Sequence, residues 1–426
     1  MQPSEEKGNA HIHHEKHIED NIDSSSEASS DFPEGGRTAN LVLLGSFLSL
    51  LGGLGYMNSI GIYQAWISTH QLHDVHKAKV GWIFGVYNAM SFFCGVQIGP
   101  IFDAQGPRWL MIAGTLLFIL SFVLQSFCQA YWQFLVVIGF LAGLASSFIF
   151  IVPVSCLSHY FNRRRGTATG LAVSGGSIGG IIFPLAFEHL AVRIGYQWAV
   201  QAVGLITVVL LVAGCILLRP RLPPTPMNMS TVLPTMTILN SPAIILTAAS
   251  VFFMEWAFFV GLDYLSSYSL AYGISRGLSY DMTVFLNVGS FFGRWIPGIV
   301  ADRFGRFNTM IGANVLCVIA LLAIWLPADG KVAVVVVFAV AFGFASGSTI
   351  GLAPVCIGEL CKVENYGRTY AVIYTIASIA ALTGVPIAGE LIHQCDGKYW
   401  GLIVFSGVSY ATSVICLVAV RWLQQR

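Results

Sequence analysis

Twelve long apolar stretches run through the sequence and restrict what the chain can fold into. Each is about 20 residues long, enough for one α-helix to cross roughly 30 Å of hydrocarbon. Charged residues make up only 10% of the 426-residue chain and hydrophobic residues 55%, a balance unlike that of a soluble domain. The sequence therefore predicts an all-α membrane protein that crosses a lipid bilayer many times.

The predicted spans fall into two groups of six. In the first half they are expected at 41–63, 80–101, 109–128, 132–157, 168–187 and 197–218. In the second half they are expected at 243–263, 281–301, 308–327, 332–354, 369–391 and 400–422. This grouping predicts an N-terminal six-helix bundle (39–218), a cytoplasmic linker (219–241) and a C-terminal six-helix bundle (242–426).

The first 38 residues are polar and rich in serine, acidic residues and histidine. Such a composition cannot bury a core, so segment 1–38 is predicted to be a disordered cytoplasmic tail. It has neither the basic region nor the apolar region of a cleavable signal peptide. Four tail histidines leave metal binding open as an alternative to a plain solvated tail: His11, His13, His14 and His17.

The distribution of basic residues predicts the orientation in the membrane. With the tail in the cytoplasm, 15 Lys and Arg residues lie on that side, 6 lie on the opposite side, and Arg294 lies inside a span. This bias satisfies the positive-inside rule with both termini in the cytoplasm, and the plasma membrane is the default location. The net charge of +1 gives no indication of a nucleic-acid partner.

Sequence signatures of enzymes and of ATP-driven pumps are not found in the chain. Most of the nine cysteines lie in apolar spans, where they serve as small hydrophobic residues, and none has metal-ligand spacing. The chain contains no P-loop or H-E-x-x-H motif, and its G-x-S-x-G match, which begins at Gly175, lies inside the glycine-rich fifth span and not at a strand-to-helix turn. We therefore expect no catalytic residue, cofactor or bound metal, and transport energy that comes from solute gradients.

A charged loop occurs twice. The segment G-P-I-F-D-A-Q-G-P-R follows the second span, and a related segment follows the eighth, with glycines and an aspartate repeated at an offset of 199 residues. Gly166 and Gly367 form a further pair, offset by 201. The two six-helix halves are therefore predicted to be structural copies.

Both loops resemble the G-x-x-x-D-x-x-G-x-R signature of the major facilitator superfamily, with Arg306 shifted by one position in the second copy. The resemblance implies that the loops latch the cytoplasmic side when the transporter is open to the outside, with the carboxylates capping helices or pairing with Arg. A plain polar turn is the alternative. The predicted cytoplasmic gate residues are Gly99, Asp103, Gly106, Arg108, Gly298, Asp302, Gly305 and Arg306.

The stretch G-Y-M-N-S-I-G-I-Y-Q in the first span resembles the fungal monocarboxylate-porter-like branch of that superfamily. It makes Asn58 and Gln64 candidates for substrate binding or coupling. In the animal monocarboxylate carriers an Arg on helix 8 binds the substrate carboxylate, and G-R-W-I-P-G-I-V-A-D aligns Arg294 with it. Asn58 and Ser290 stand where those carriers have a lysine and an acid, so coupling to protons by their route is not expected.

Two charges are predicted deep in the membrane, where each costs at least about 2.5 kcal/mol. Glu255 and Arg294 are expected at depths that differ by about 6 Å, within reach of each other. Either Arg294 binds the solute carboxylate, or the two residues form a structural ion pair. Glu255 and Asp263 are the candidate proton sites. Other polar residues of the spans could line a central cavity: Tyr63, Tyr87, Asn88, Gln97, Asn287 and Tyr374.

These features predict a secondary active or facilitated transporter of a small organic solute, in the first instance a monocarboxylate, that works by alternating access. An exporter or importer of a secondary metabolite or a vitamin-like aromatic compound is the alternative. A non-transporting sensor on a transporter scaffold is a third possibility. The expected partners are the lipid bilayer, the solute and, as a candidate coupling ion, the proton.

Overall fold

The computed structural model describes residues 32–75, 77–221, 241–361 and 366–425. Most of the predicted disordered tail and linker, including the four tail histidines, lies outside these ranges. Within them all regular secondary structure is helical. The predicted all-α, twelve-span architecture is confirmed, because eleven helices are long and apolar enough to span a membrane and residues 77–105 form an interrupted twelfth.

In the first half the spans are α1 (Gly36–Asn58 and Ile60–Thr69), α2 (Lys77–Phe93 and Gly95–Gln105), α3 (Pro107–Gln125), α4 (Tyr131–Ser158), α5 (Arg165–Ile194) and α6 (Tyr196–Leu217). In the second half they are α7 (Pro242–Ala271), α8 (Arg276–Phe304), α9 (Arg306–Trp325), α10 (Val332–Ile357), α11 (Tyr366–Gln394) and α12 (Trp400–Gln424). Several are longer than the hydropathy pattern predicted, because polar residues continue the helices beyond the apolar stretches.

Two helices of the first half are interrupted within the span. Helix α1 breaks after Asn58, where the Ser59 hydroxyl donates a hydrogen bond to the carbonyl of Gly55 (2.6 Å). Helix α2 breaks at Cys94. Two further helices contain π-helical segments, at Leu135–Ala142 in α4 and Ala320–Trp325 in α9. Such irregular turns expose backbone groups that a regular helix would pair internally.

Close backbone contacts hold the helices together. Helix α1 packs on α5, and α8 packs on α10. A methyl group added at Gly179 of α5 would lie 2.5 Å from the Cα of Gly55 in α1, so only glycine permits this approach. Two further contacts, α5 with α8 and α2 with α11, join the two halves.

We use the name N face for the end of the bundle at which α1 begins. It carries residues 159–164 between α4 and α5, Gly305 between α8 and α9, and Gly358 after α10. Hydrogen bonds made by residues in or beside these segments link them to one another or to the start of α5. Large apolar side chains such as Leu116, Val209 and Ile216 are exposed on the sides of the bundle, as expected for surfaces that face lipid.

Candidate substrate site and N-face contacts

Arg294 lies in the middle of α8 and reaches from the second half into the first. Its side chain is buried, and Nη1 donates a hydrogen bond to the carbonyl of Val173 in α5 (2.9 Å). A methyl group added at Gly176 would lie 2.8 Å from Nη1, so a glycine of α5 makes room for the guanidinium. Its buried Nε has no hydrogen-bond partner. A guanidinium has five N–H donors, so most of this one's capacity is unused by the described residues.

Glu255 of α7 is buried and interacts electrostatically with Arg294. The two side chains are nevertheless not joined by an ion pair within 4 Å in the described part of the chain. Glu255 and Arg294, which were predicted to be within reach of each other, therefore interact over a longer distance than that of a direct ion pair. This arrangement leaves the guanidinium partly compensated and without a carboxylate in direct contact.

Asn58 of α1 packs against the same glycine-rich face of α5 as Arg294 of α8. Its amide donates a hydrogen bond to the carbonyl of Gly176 (3.0 Å). A methyl group at Gly180 would lie 2.6 Å from Oδ1 of Asn287 in α8 and 2.8 Å from Cβ of Asn58. Two neutral amides and one cation, from helices α1 and α8, therefore lie beside Gly176 and Gly180, which are about one helical turn apart on α5.

Gln64 does not join this group. It is half-buried on the second part of α1, and its amide nitrogen lies 3.9 Å from the position of a methyl group on Gly81 in α2. Six residues separate it from Asn58, about 9 Å along a helix. The structure places Gln64 toward the opposite face, between two helices of the first half.

Tyr370 and Tyr410 also lie at this site, although only Tyr374 was predicted from the sequence. All three tyrosines are buried and interact electrostatically with Glu255. The recurrence of tyrosine every fourth residue at 366, 370 and 374 was visible in the sequence, since such spacing places side chains on one helical face. Tyr410 carries no comparable signal.

Asp302 joins the two halves at the N face. Its carboxylate accepts hydrogen bonds from the backbone N–H groups of Gly166 and Thr167 (2.8 Å each) and from the Thr167 hydroxyl (2.7 Å). These donors belong to the first turn of α5, where the helix dipole also favours an anion. A carboxylate of the second half thus caps a helix of the first half.

A close glycine contact occurs in both copies of the repeat. A methyl group on Gly298 would collide with the carbonyl oxygen of Gly166, and one on Gly99 would lie 2.5 Å from the carbonyl oxygen of Gly367 in α11. The loop glycines that follow, Gly106 (φ 77°) and Gly305 (φ 97°), both adopt the left-handed backbone that favours glycine. The repeated residues therefore make repeated contacts between the halves.

Arginines add further contacts at the N face. Arg306 donates through Nη2 to the carbonyl of Asn162 (2.6 Å). Arg165 is buried with its guanidinium 4.3 Å from the ring centroid of Tyr366, and Nη1 lies 3.4 Å from the carbonyl of Gly358. Arg108 is exposed, and the side chain of Asp103 lies outside the described residues.

Glu34, just before α1, holds the loop between α4 and α5. Its carboxylate accepts hydrogen bonds from three successive backbone N–H groups, at 2.9 Å from Asn162, at 3.0 Å from Arg164, and from Arg163 between them. The same loop binds Arg306 through Asn162. The N-terminal segment and the second half therefore restrain one loop from two sides.

His159 is buried at the N face, at the end of α4. Its ring centroid lies 5.5 Å from that of Phe102, and its carbonyl accepts a hydrogen bond from Arg221 (3.0 Å). Burial and the positive charges of Arg165 and Arg221 lower the pKa of the His159 imidazole from 6.5 to about 4. The N face in this conformation therefore favours a neutral His159.

A pocket of about 290 Å³ lies elsewhere, at the face opposite the N face. It is formed where α3 ends and α6 begins, with Gln71, Gln129 and Trp198 among its lining residues. None of the residues that line it belongs to the group around Arg294. We do not assign it to the candidate substrate site.

Comparison with known proteins agrees with this architecture. The family model of the Major Facilitator Superfamily matches residues 44–385 and 292–425. The chain is similar to the riboflavin transporter MCH5 of Saccharomyces cerevisiae, with 29% identity over 95% of this chain and 82% of that protein. It is also similar to the fujikurins efflux protein of Gibberella fujikuroi, with 31% identity over 91% of this chain and 82% of that protein.

A solved structure shares the fold. The human organic anion transporter MFSD10 aligns with 89% of this chain and 98% of its own, with a TM-score of 0.69 and 14% sequence identity. The match of the family model covers most of the chain, and the relatives named above are transporters. The chain therefore belongs to the Major Facilitator Superfamily, and it is a multi-pass membrane transporter, not an enzyme.

Proposed function

We propose that the chain carries a small organic anion, in the simplest case a monocarboxylate, across the membrane, and that Arg294 holds the acid group. The observation that supports this most is the buried guanidinium at the contact between the halves, with one hydrogen bond and an unpartnered Nε. A planar guanidinium can bind a carboxylate through two parallel hydrogen bonds. A bound anion would also compensate a cation that is costly within the membrane.

Glu255 is the proposed coupling group. We propose that Glu255 is ionised while the site is empty and then compensates the charge of Arg294, with which it interacts electrostatically. When a solute carboxylate binds Arg294, Glu255 is left as a second anion in a medium of low dielectric constant, where an uncompensated charge is strongly disfavoured. Uptake of one proton by Glu255 would remove that cost, so we propose that anion and proton move together.

The proposed transport cycle uses the two halves, 39–218 and 242–426, as the moving units. The bias of basic residues supports a cytoplasmic N face, and the plasma membrane is the proposed location. The N face is closed when the Asp302 carboxylate is hydrogen-bonded to the start of α5 and when Gly99 and Gly298 contact the opposite half. In this reading the described conformation is closed to the cytoplasm, and transport requires these contacts to break.

A second candidate function is the movement of an uncharged aromatic solute or the export of a secondary metabolite. The neutral amides of Asn58 and Asn287 beside Gly180 favour it, because amides can bind a polar solute that has no charge. The names of the two relatives, a riboflavin transporter and a fujikurins efflux protein, also support solutes larger than a simple monocarboxylate.

Uptake into proteoliposomes tests the proposal. Radiolabelled benzoate and riboflavin are compared in the wild type, in Arg294→Gln, and in Arg193→Gln, an exposed arginine at the far end of α5 that serves as the control. We expect Arg294→Gln to lower benzoate uptake about 100-fold, through loss of a charged pair, and Arg193→Gln to leave it unchanged. Undiminished benzoate uptake in Arg294→Gln would contradict the proposal. Riboflavin uptake that survives this substitution would favour the second candidate.

A further inference from the structure

Three tyrosines recur every fourth residue on α11, and their rings form a continuous row of contacts. Tyr366, Tyr370 and Tyr374 are all buried. Their ring centroids lie 5.6 Å apart between the first two and 4.5 Å apart between the last two. Residues at this spacing share one face of a helix, and we call these three residues the tyrosine ladder.

The tyrosine ladder connects the N face to the candidate substrate site. At the N face, the guanidinium of Arg165 lies over the ring of Tyr366. At the other end, Tyr374 interacts electrostatically with Glu255. Eight residues separate the two ends, which corresponds to about 12 Å along the helix.

The first half supplies an aromatic wall opposite the tyrosine ladder. The ring of Phe92 in α2 lies 5.2 Å from that of Tyr374, and the ring of Phe150 in α4 lies 5.7 Å from Tyr374 and 6.1 Å from Tyr370. The ladder is therefore buried between the two halves. Separation of the halves at the N face would expose both aromatic surfaces to a passing solute.

The hydroxyl groups of the tyrosine ladder differ in their hydrogen bonding. The Tyr366 hydroxyl donates to the carbonyl of Pro354 (3.2 Å). The buried hydroxyls of Tyr370 and Tyr374 lie close enough to interact with each other, but neither makes a hydrogen bond of good geometry to a described residue. A buried hydroxyl without a partner costs free energy, so phenylalanine would suit the closed conformation better at both positions.

We infer that the tyrosine ladder is the N-face half of the transport route and selects solutes with a flat aromatic ring. This inference rests on the proposed function, to which it adds the class of solute. Aromatic rings of the solute stack favourably on tyrosine and phenylalanine rings. The hydroxyls of Tyr370 and Tyr374, which interact with each other while the N face is closed, hydrogen-bond to polar groups of the solute as it passes.

Chemical labelling tests the route without knowledge of the solute. Tyr370→Cys and Tyr374→Cys are treated with a membrane-impermeant maleimide in vesicles whose N face is outward. The parent protein, with its nine free cysteines, gives the background. Phe338→Cys is the control, because Phe338 is equally buried but stacks on Trp325 within the second half. We expect the ladder cysteines to react at least tenfold faster than the control, and equal rates would overturn the route.

Transport of two acids of similar size tests the selectivity. Benzoate and cyclohexanecarboxylate share one charge but differ in aromaticity. We expect Tyr374→Leu to lower kcat/KM for benzoate about tenfold relative to cyclohexanecarboxylate, whereas Tyr374→Phe, which keeps the ring, leaves their ratio unchanged. An equal loss of both acids in Tyr374→Leu indicates a packing role only and overturns the selectivity.

The proposed function and the tyrosine ladder fail in different ways. If Arg294→Gln leaves transport of both acids unchanged while Tyr374→Leu still separates them, Arg294 is not the anchor and the ladder remains. If Arg294→Gln abolishes transport of both acids while Tyr374→Leu does not separate them, the anchor remains and the aromatic selectivity is overturned.

Discussion

Helices α2 and α8 occupy corresponding positions in the two halves, at an offset of 199 residues, and a difference at one position bears on solute binding. At the N face the copies agree, because Gly99 and Gly298 each allow a close contact with the opposite half. Deeper in the membrane, Gly95 corresponds to Arg294. A methyl group on Gly95 would collide with the side chain of Ile151. The closing contact is therefore duplicated, whereas the buried cation at this position is present in α8 and not in α2.

The helices also differ in continuity beside that position. Helix α2 breaks at Cys94, whereas α8 continues through the equivalent Gly293 to Phe304. A continuous helix holds Arg294 in a fixed register against α5. Two helices that correspond in the predicted repeat can thus keep the same contact between halves, while only one of them carries the arginine proposed to bind the solute.

The largest expected effect comes from filling the duplicated glycine contact. Gly298→Val and Gly99→Val should each prevent closure of the N face and lower the transport rate more than about 100-fold, because the new methyl groups meet backbone carbonyls that cannot move aside. The control is Gly312→Val in α9, where a methyl group meets nothing within 4 Å. Initial rates of benzoate uptake measure the effect. A normal rate in either variant would show that the two copies are not equivalent.

A smaller effect is expected from Asp302→Asn. The amide keeps one acceptor but loses the charge that binds the first turn of α5, which corresponds to about 2 kcal/mol or a 30-fold shift toward the open N face. The same substitution at Asp103 tests whether its copy acts alike. Pulsed electron resonance distances between labels at residues 163 and 303 report opening. Both variants should change kcat more than KM, and a pure change in KM would count against a latch.

His159 has no counterpart in the second half, since Leu360 occupies the equivalent position at an offset of 201. The closed N face lowers the pKa of His159 to about 4, against an ordinary value of 6.5. Well above pH 6.5 the residue is neutral in both states and has no effect. As the pH falls from 6.5 toward 4, a state with a hydrated His159 gains a proton that the closed state does not, so closure weakens.

Between pH 7.5 and 5.5 on the N-face side, closure should weaken by up to about tenfold. The same label distances, measured against pH, check this. His159→Gln should remove the dependence in this range while leaving the distances at pH 7.5 unchanged. A dependence that persists in this variant would assign it to another group.

The smallest effect is expected from Glu34, which restrains only the first half. Glu34→Gln weakens three hydrogen bonds at an exposed loop, and we expect opening of the N face to increase about threefold, since exposed charges are well screened. Glu188→Gln, an exposed glutamate of α5, is the control. If opening does not change, Asp302 and the glycine contacts hold the N face closed without the N-terminal segment.

Hydropathy and the 199-residue repeat were enough to predict the twelve spans, because lipid requires every span to be an apolar helix. The same signals could not predict the partners of individual residues. The Asp302 carboxylate binds the first turn of α5, 135 to 136 residues away in sequence. Hydropathy contains no information on which helices become neighbours at that distance.

The candidate site was predicted in part. Glu255 and Arg294 were identified because a charged side chain within the membrane costs free energy. In the structure the two residues interact electrostatically without a direct ion pair. Gln64 lies apart from them, because the break in α1 after Asn58 separates the two parts of that helix. The glycines of α5 leave space for the guanidinium of Arg294. This role depends on how the two halves pack, which composition alone does not show.

In the proposed mechanism, Arg294 binds the solute and is not merely the structural partner of Glu255. Benzoate uptake by Arg294→Gln, Glu255→Gln and the double variant distinguishes these two roles. If Arg294 binds the solute, the double variant is as inactive as Arg294→Gln. If the two charges only compensate each other, removing both restores transport toward the wild-type rate, and that result would contradict a solute-binding role for Arg294.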